Sequence, residues 1–244
     1  MTTETSTNLA LPECWRDFQD AMASGIDRLI LYGPSGSGKS YGGLTMGDVT
    51  AGSFRLTCTE DMTNADITGH FIVNGNVWEW NDGSVLRAWK GTGNHGGRLV
   101  ADEIDKASGD VLSQLLNMFD TPESASWTHP ATKQTFRPNE GFSVVMTTNI
   151  EDMRELPTAL KDRFPVAIRI NRPHPNALLR LSPDLRDAAS ASIDADGDRR
   201  FSLRAFMAFD KLRPQLGLER AATMVFGKKS GDILDALKVN EVAS

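Results

Sequence analysis

The eight residues Gly33-Pro34-Ser35-Gly36-Ser37-Gly38-Lys39-Ser40 constrain this chain more than any other feature. They follow a short apolar run, RLILY at Arg28 to Tyr32, and precede a stretch that suits a helix to about Met46. A buried strand, a glycine-rich loop and a helix N-terminus in that order make a phosphate cradle. The glycines let backbone N–H groups turn inward around phosphate oxygens, and the helix end adds partial positive charge. Lys39 is placed to reach β- and γ-phosphates, and the Ser40 hydroxyl to bind Mg²⁺. Tyr41, next in the chain, completes the candidate nucleotide-binding set. A Gly/Ser-rich turn with no ligand is the competing reading, and the strand–loop–helix context disfavours it.

A second signal lies at Leu99-Val100-Ala101-Asp102-Glu103. An apolar strand delivers two adjacent acids, the first suited to a metal shell and the second to activating water. Taken alone this is weak, because acids also cap helices. Downstream of a phosphate loop by a strand–helix interval it gains weight. Asn149 ends another apolar strand, FSVVMTT, at the strand end where α/β sheets bind ligands; an Asn in a turn is the alternative.

The 244 residues allow one large domain, or one domain with an appendage. Strand signals end near Asn171, and Pro173 and Pro175 mark a boundary. Residues 1–171 read as an alternating α/β part, and 172–244 as an all-helical tail. Helices are expected from about Asn176 to Ala189, Leu203 to Leu212, Leu218 to Phe226 and Asp232 to Val239. Two hairpins are expected inside the α/β part. One turns at Asn74-Gly75-Asn76, and the other carries Trp127 and Phe136. The net charge of -6 disfavours a protein that coats duplex DNA. Two widely spaced cysteines and four single histidines give no zinc pattern and suit a reducing, cytoplasmic setting. No secretory signal and no membrane span is expected.

The order of these motifs resembles the AAA+ ATPases, and within them the MoxR-type and related helix-2-insert clade (the dynein-related AAA family). The resemblance spans nearly the whole chain. DITGHF at Asp66 to Phe71 is similar to a segment that family carries before its insert, and the VWEW hairpin resembles the insert itself. SWTHPATKQTFRPNEGFSVVMTTN resembles its pre-sensor hairpin and sensor-1 strand. LPTALKDRFPVAIRI resembles its arginine-finger block, and FSLRAF its sensor-2 block, with Leu203 where the family usually has proline. The resemblance implies a three-layer P-loop core with a small helical lid. It also implies an Mg²⁺-dependent ATPase and a homo-oligomeric ring, usually of six subunits. Asp102 would then organise the metal, Glu103 act as base and Asn149 as sensor 1. Arg163 would act in trans as the finger, and Arg204 as sensor 2. A surface ion pair competes for Arg163, and a solvated helix arginine for Arg204.

Three roles fit such a machine: a chaperone-like remodeller of a protein client, a nucleic-acid motor or loader, and a nucleotide-gated assembly switch. A P-loop kinase fits the sensor and finger residues poorly. Trp78 and Trp80, two apart and so on one strand face, are candidates to grip a client or to pack on the core. His129, Lys133 and Arg137 are candidates to line a pore. Trp15 and Trp89 suit the core or a subunit interface. Asp194, Asp196 and Asp198 lack the Glu a calcium loop needs, since Ala205 stands at its twelfth position.

Overall fold

The computed structural model of the protein describes residues 10–193, 195 and 200–242, so Asp194, Asp196 and Asp198 lie outside the described residues. In chain order the elements begin with α1 (Glu13–Ala23), β1 (Arg28–Tyr32), α2 (Lys39–Thr45), β2 (Ser53–Thr57), α3 (Asn64–Thr68), β3 (Gly69–Asn74) and β4 (Val77–Asp82). Next come α4 (Ser84–Lys90), β5 (Arg98–Asp102), α5 (Gly109–Met118), β6 (Trp127–Thr128), β7 (Thr135–Phe136), β8 (Ser143–Thr147), α6 (Thr158–Arg163) and β9 (Val166–Arg169). Five helices close the chain: α7 (Pro175–Leu178), α8 (Pro183–Ile193), α9 (Leu203–Leu216), α10 (Leu218–Phe226) and α11 (Ser230–Val242). Contacts divide the chain into two compact units. One comprises residues 18–33 and 39–169; the other comprises the described residues of 1–17, 34–38 and 170–244.

The first unit is built on a five-stranded sheet of order β2-β5-β8-β1-β9, parallel at every pairing. Strands covered on both faces read as continuous apolar runs, which is why RLILY and LVA announce themselves in sequence. Leu29, Ile30, Leu31, Leu99, Val100, Val144 and Val145 are fully buried. Helix α2 lies tight against the sheet through Gly43, where an added Cβ would stand 3.2 Å from both Val100 and Val145. Both tryptophans in question are interior, Trp15 in α1 and Trp89 in α4. So are both cysteines, Cys14 and Cys58. Burial, followed by the neighbouring Asp102 charge, pushes the Cys58 thiol up to about 12.

Two hairpins project from this unit's strand–helix scaffold. In the first, β3 and β4 join through the two-residue turn Gly75-Asn76, with Gly75 at φ +64°. Phe71 faces Trp80 and Val73 faces Trp78, so all four share one face. In the second, Trp127 pairs with Phe136. The two hairpins meet through rings: Trp80 lies 5.4 Å from Trp127 and 4.8 Å from His129, and Phe71 lies 5.0 Å from Trp80.

The second unit has its own core of Leu185, Ala189, Phe206, Phe209, Ala221 and Phe226. The helix expected from 176 to 189 is two helices, parted before Pro183. Proline is tolerated in a first helical turn, where its missing N–H is not needed. Asp210 of α9 fixes that break by accepting from the Ser182 N–H at 2.8 Å and hydroxyl at 2.9 Å. Arg213 then bridges Asp184 and Asp210. Helix α9 runs on to Leu216 through Pro214, beyond the expected end at 212. In the same unit the Trp15 indole N–H donates to the Arg172 carbonyl at 2.8 Å.

Candidate active site

Strand β1 ends at Tyr32 and hands the chain to the loop 33–38. There Gly33, Gly36 and Gly38 all take positive φ, at +118°, +78° and +98°. Side chains with a Cβ resist these conformations, so the glycine spacing read in sequence is a backbone requirement. Ser37 is buried, and its hydroxyl has no hydrogen-bond partner in the structure. A buried hydroxyl in a loop of turned glycines is satisfied by an incoming oxygen acceptor, as a phosphate supplies. Tyr41 lies on the exposed side of α2.

The first residues of α2 meet the ends of β5 and β8. Lys39 is buried, and its ammonium donates to the Gly33 carbonyl at 2.8 Å and to Asn149 Oδ1 at 3.1 Å. The Ser40 hydroxyl donates to Asp102 Oδ1 at 2.6 Å. Thr147, at the end of β8, donates its hydroxyl to the same oxygen, and Arg55 of β2 pairs with Oδ2. Burial pushes the Asp102 carboxyl up. The hydrogen bonds from Ser40, Thr147 and Arg55 outweigh that and hold it below the ordinary carboxylate value. A hydroxyl and an ionised carboxylate in contact are hard oxygen donors, which fits Mg²⁺.

Glu103 follows in the left-handed region, φ 57° and ψ 45°. That conformation is uncommon for a residue with a side chain and concentrates at functional sites. Lys106 donates to the Glu103 carboxylate at 2.5 Å. Nearby, Thr148 donates to Asp105 at 2.6 Å. Arg163, on α6, pairs with Asp120 at 3.2 Å and donates to the Ala159 carbonyl at 3.1 Å. Its partner is thus an acid 43 residues away, and not the adjacent Asp162. Arg204 is exposed on the first turn of α9. Two residues before it, Ser202 caps that helix and touches the loop, since a Cβ on Gly36 would come within 2.6 Å of the Ser202 Cβ.

Lys39, Ser40, Asp102 and Asn149 therefore form one connected cluster, which Glu103 adjoins. Arg163 pairs with Asp120 instead of with this cluster, and Arg204 belongs to the other compact unit. Arg55 and Thr147 belong to the cluster and carry no motif of their own in the sequence. The Thr147 position, before Asn149 on an apolar strand, offers a weak signal; Arg55 offers none.

Residues 28–164 match the family model described as AAA domain, dynein-related subfamily. Curated proteins give no match. Among solved structures, one similar chain is a candidate ATPase from Cytophaga hutchinsonii ATCC 33406. It is 18% identical, with a TM-score of 0.48, over 83% of this chain and 57% of that one. The chain thus spans little more than half the length of that protein. Another is NtrX from Brucella abortus, 13% identical with a TM-score of 0.49, over 95% of this chain and 69% of that one. The family match covers more than half of the sequence, including the loop, the Asp102-Glu103 pair and Asn149. The chain belongs to the dynein-related subfamily of AAA domains.

Proposed function

We propose that the protein is an Mg²⁺-dependent ATPase of MoxR-like character, working as a ring of identical subunits on a protein client. Support comes chiefly from the cluster in which Lys39 reaches Asn149 while Ser40 reaches Asp102. It ties the start of α2 to the ends of two central strands. The N–H groups of residues 33–40 and the Lys39 ammonium bind the phosphates. Ser40 and Asp102 hold the metal, which when bound offsets phosphate charge. Asn149 positions the attacking water, and Glu103 takes its proton once released from Lys106. Arg204, on a lid formed by residues 172–244, senses the γ-phosphate. Arg163 leaves Asp120 to complete a neighbour's site. The exposed apolar tip of the first hairpin suits a protein client, and the absence of a net basic charge weighs against nucleic acid.

Glu103→Gln should keep ATP binding and lose roughly 10²- to 10⁴-fold in turnover, the usual worth of a positioned base. Unchanged turnover would remove Glu103 from that role. Arg163→Ala and Lys39→Ala proteins, each inactive alone, should recover turnover when mixed. No recovery at any ratio would refute a site shared between subunits.

A further inference from the structure

Asp102 is held by three side chains of different kinds. The Ser40 and Thr147 hydroxyls both donate to Oδ1. Arg55 takes the other oxygen, Oδ2, and it does so from the outside: its side chain is 51% exposed, against 7% for Asp102. The two strands explain the reach. Arg55 of edge strand β2 sits in register with Val100, and Thr57 with Asp102. The guanidinium therefore extends forward by two residues, about 7 Å along the strand, to arrive at the carboxylate.

Hydroxyl donors satisfy a carboxylate's lone pairs without cancelling its charge. A buried carboxylate needs a cation to offset desolvation. Arg55 supplies one on a long, half-solvated stem that can swing away at little cost, because solvent screens such a pair. The oxygen it covers is the one that the two hydroxyls leave open. A guanidinium on Oδ2 and a divalent cation at the same carboxylate compete for one negative charge and repel each other.

We infer that Arg55 is an exchangeable counter-ion: it neutralises Asp102 in the metal-free site and is driven off by charge repulsion when Asp102 turns to a divalent cation. This rests on the proposed reading of Ser40 and Asp102 as the metal-holding pair. Arg55 then opposes metal binding while stabilising the metal-free protein, whereas Ser40 and Thr147 can stay in place throughout.

The full chain tests this through binding of a fluorescent ADP analogue at graded Mg²⁺ concentrations, and through thermal melting without metal or nucleotide. Arg55→Gln should lower the Mg²⁺ concentration that half-maximally tightens ADP binding. A two- to fivefold drop is roughly what a half-exposed ion pair is worth. The same variant should melt below wild type when metal-free, and Arg55→Lys should fall between them in both measurements. In an Asp102→Asn background, Arg55→Gln should no longer shift the melting temperature. An unchanged or raised Mg²⁺ requirement in Arg55→Gln would overturn the inference. Should the glutamine variant fail to fold, the same result in Arg55→Lys would overturn it equally. A wild-type protein whose ADP binding ignores Mg²⁺ would instead overturn the metal-site reading beneath it. So would an Asp102→Asn protein that keeps the Mg²⁺ dependence.

Discussion

The strand ends around Asp102 and the paired hairpins around Trp80 lie in one compact unit and are built on opposite principles. At the strand ends, Asp102 and Thr147 are buried and joined by hydrogen bonds, and a single carboxylate serves Ser40, Thr147 and Arg55. Where the two hairpins meet, aromatic rings pack on one another, several of them edge to face. The first arrangement fixes atoms to within a bond length, because a buried polar group left without a partner is costly. The second fixes only an orientation, since ring contacts tolerate sliding. On the proposed reading, chemistry belongs to the first kind of construction, and contact with a variable client surface to the second.

Substitutions in each region should separate these behaviours. The largest effect is expected for Trp80→Ala, which removes the ring joining both hairpins. It should cost about 3 kcal/mol, near the low end for a large core aromatic because Trp80 is only partly buried. Nucleotide affinity, read by the same fluorescent analogue, should barely change. Thr147→Val keeps the shape but strips a donor from buried Asp102. It should cost about 2 kcal/mol and also weaken Mg²⁺-dependent nucleotide binding. If Thr147→Val leaves binding intact, the contrast between the regions collapses.

A smaller effect should come from a partly buried pair. Asp184 pairs with Arg213, whose guanidinium holds the Asp184 carboxyl below its ordinary value. A depressed folded-state value means that the pair stabilises above the unfolded carboxylate range and is lost as pH falls through the lower folded value. Asp184→Asn should thus cost about 0.5 kcal/mol at neutral pH, with the difference vanishing in acid melts. The smallest effect is expected at Trp78, which is 69% exposed. Trp78→Ala should change stability by less than about 0.5 kcal/mol while reducing client-stimulated turnover. Equal losses for Trp78→Ala and Trp80→Ala in a melting experiment would show that the tip is packed.

Much of the sheet could be read from sequence because parallel strands must be apolar on both faces. RLILY matches β1 residue for residue, and the run into Asp102 matches β5. Helix α3 was not legible by periodicity, since five residues give barely more than one turn. Its signal was local: the Asp66 carboxylate accepts from both the Thr63 N–H and hydroxyl, at 2.7 and 2.8 Å. The loop and the two acids could be read because their spacing is fixed by the backbone. Arg55 could not, because its role depends on β2 lying beside β5. No pattern along the chain states which strand neighbours which. Nor did Trp78 and Trp80, equivalent in spacing, reveal that one is a keystone and the other a tip.

Gly43 carries a mechanical consequence. Helix α2 presents Lys39 and Ser40 at one end, and in its middle it rests tightly on Val100 and Val145, where an added carbon would stand 3.2 Å from each. Those valines belong to the strands that end in Asp102 and lead to Asn149. A helix seated with so little clearance recoils little when its end is loaded, because close-packed interiors yield little. A thrust on Lys39 and Ser40 therefore passes through α2 into both strands together, as through a piston with short travel. Gly43→Ala would act as a thin shim, pressing on that seat by a few tenths of an ångström while leaving Lys39 and Ser40 themselves unaltered.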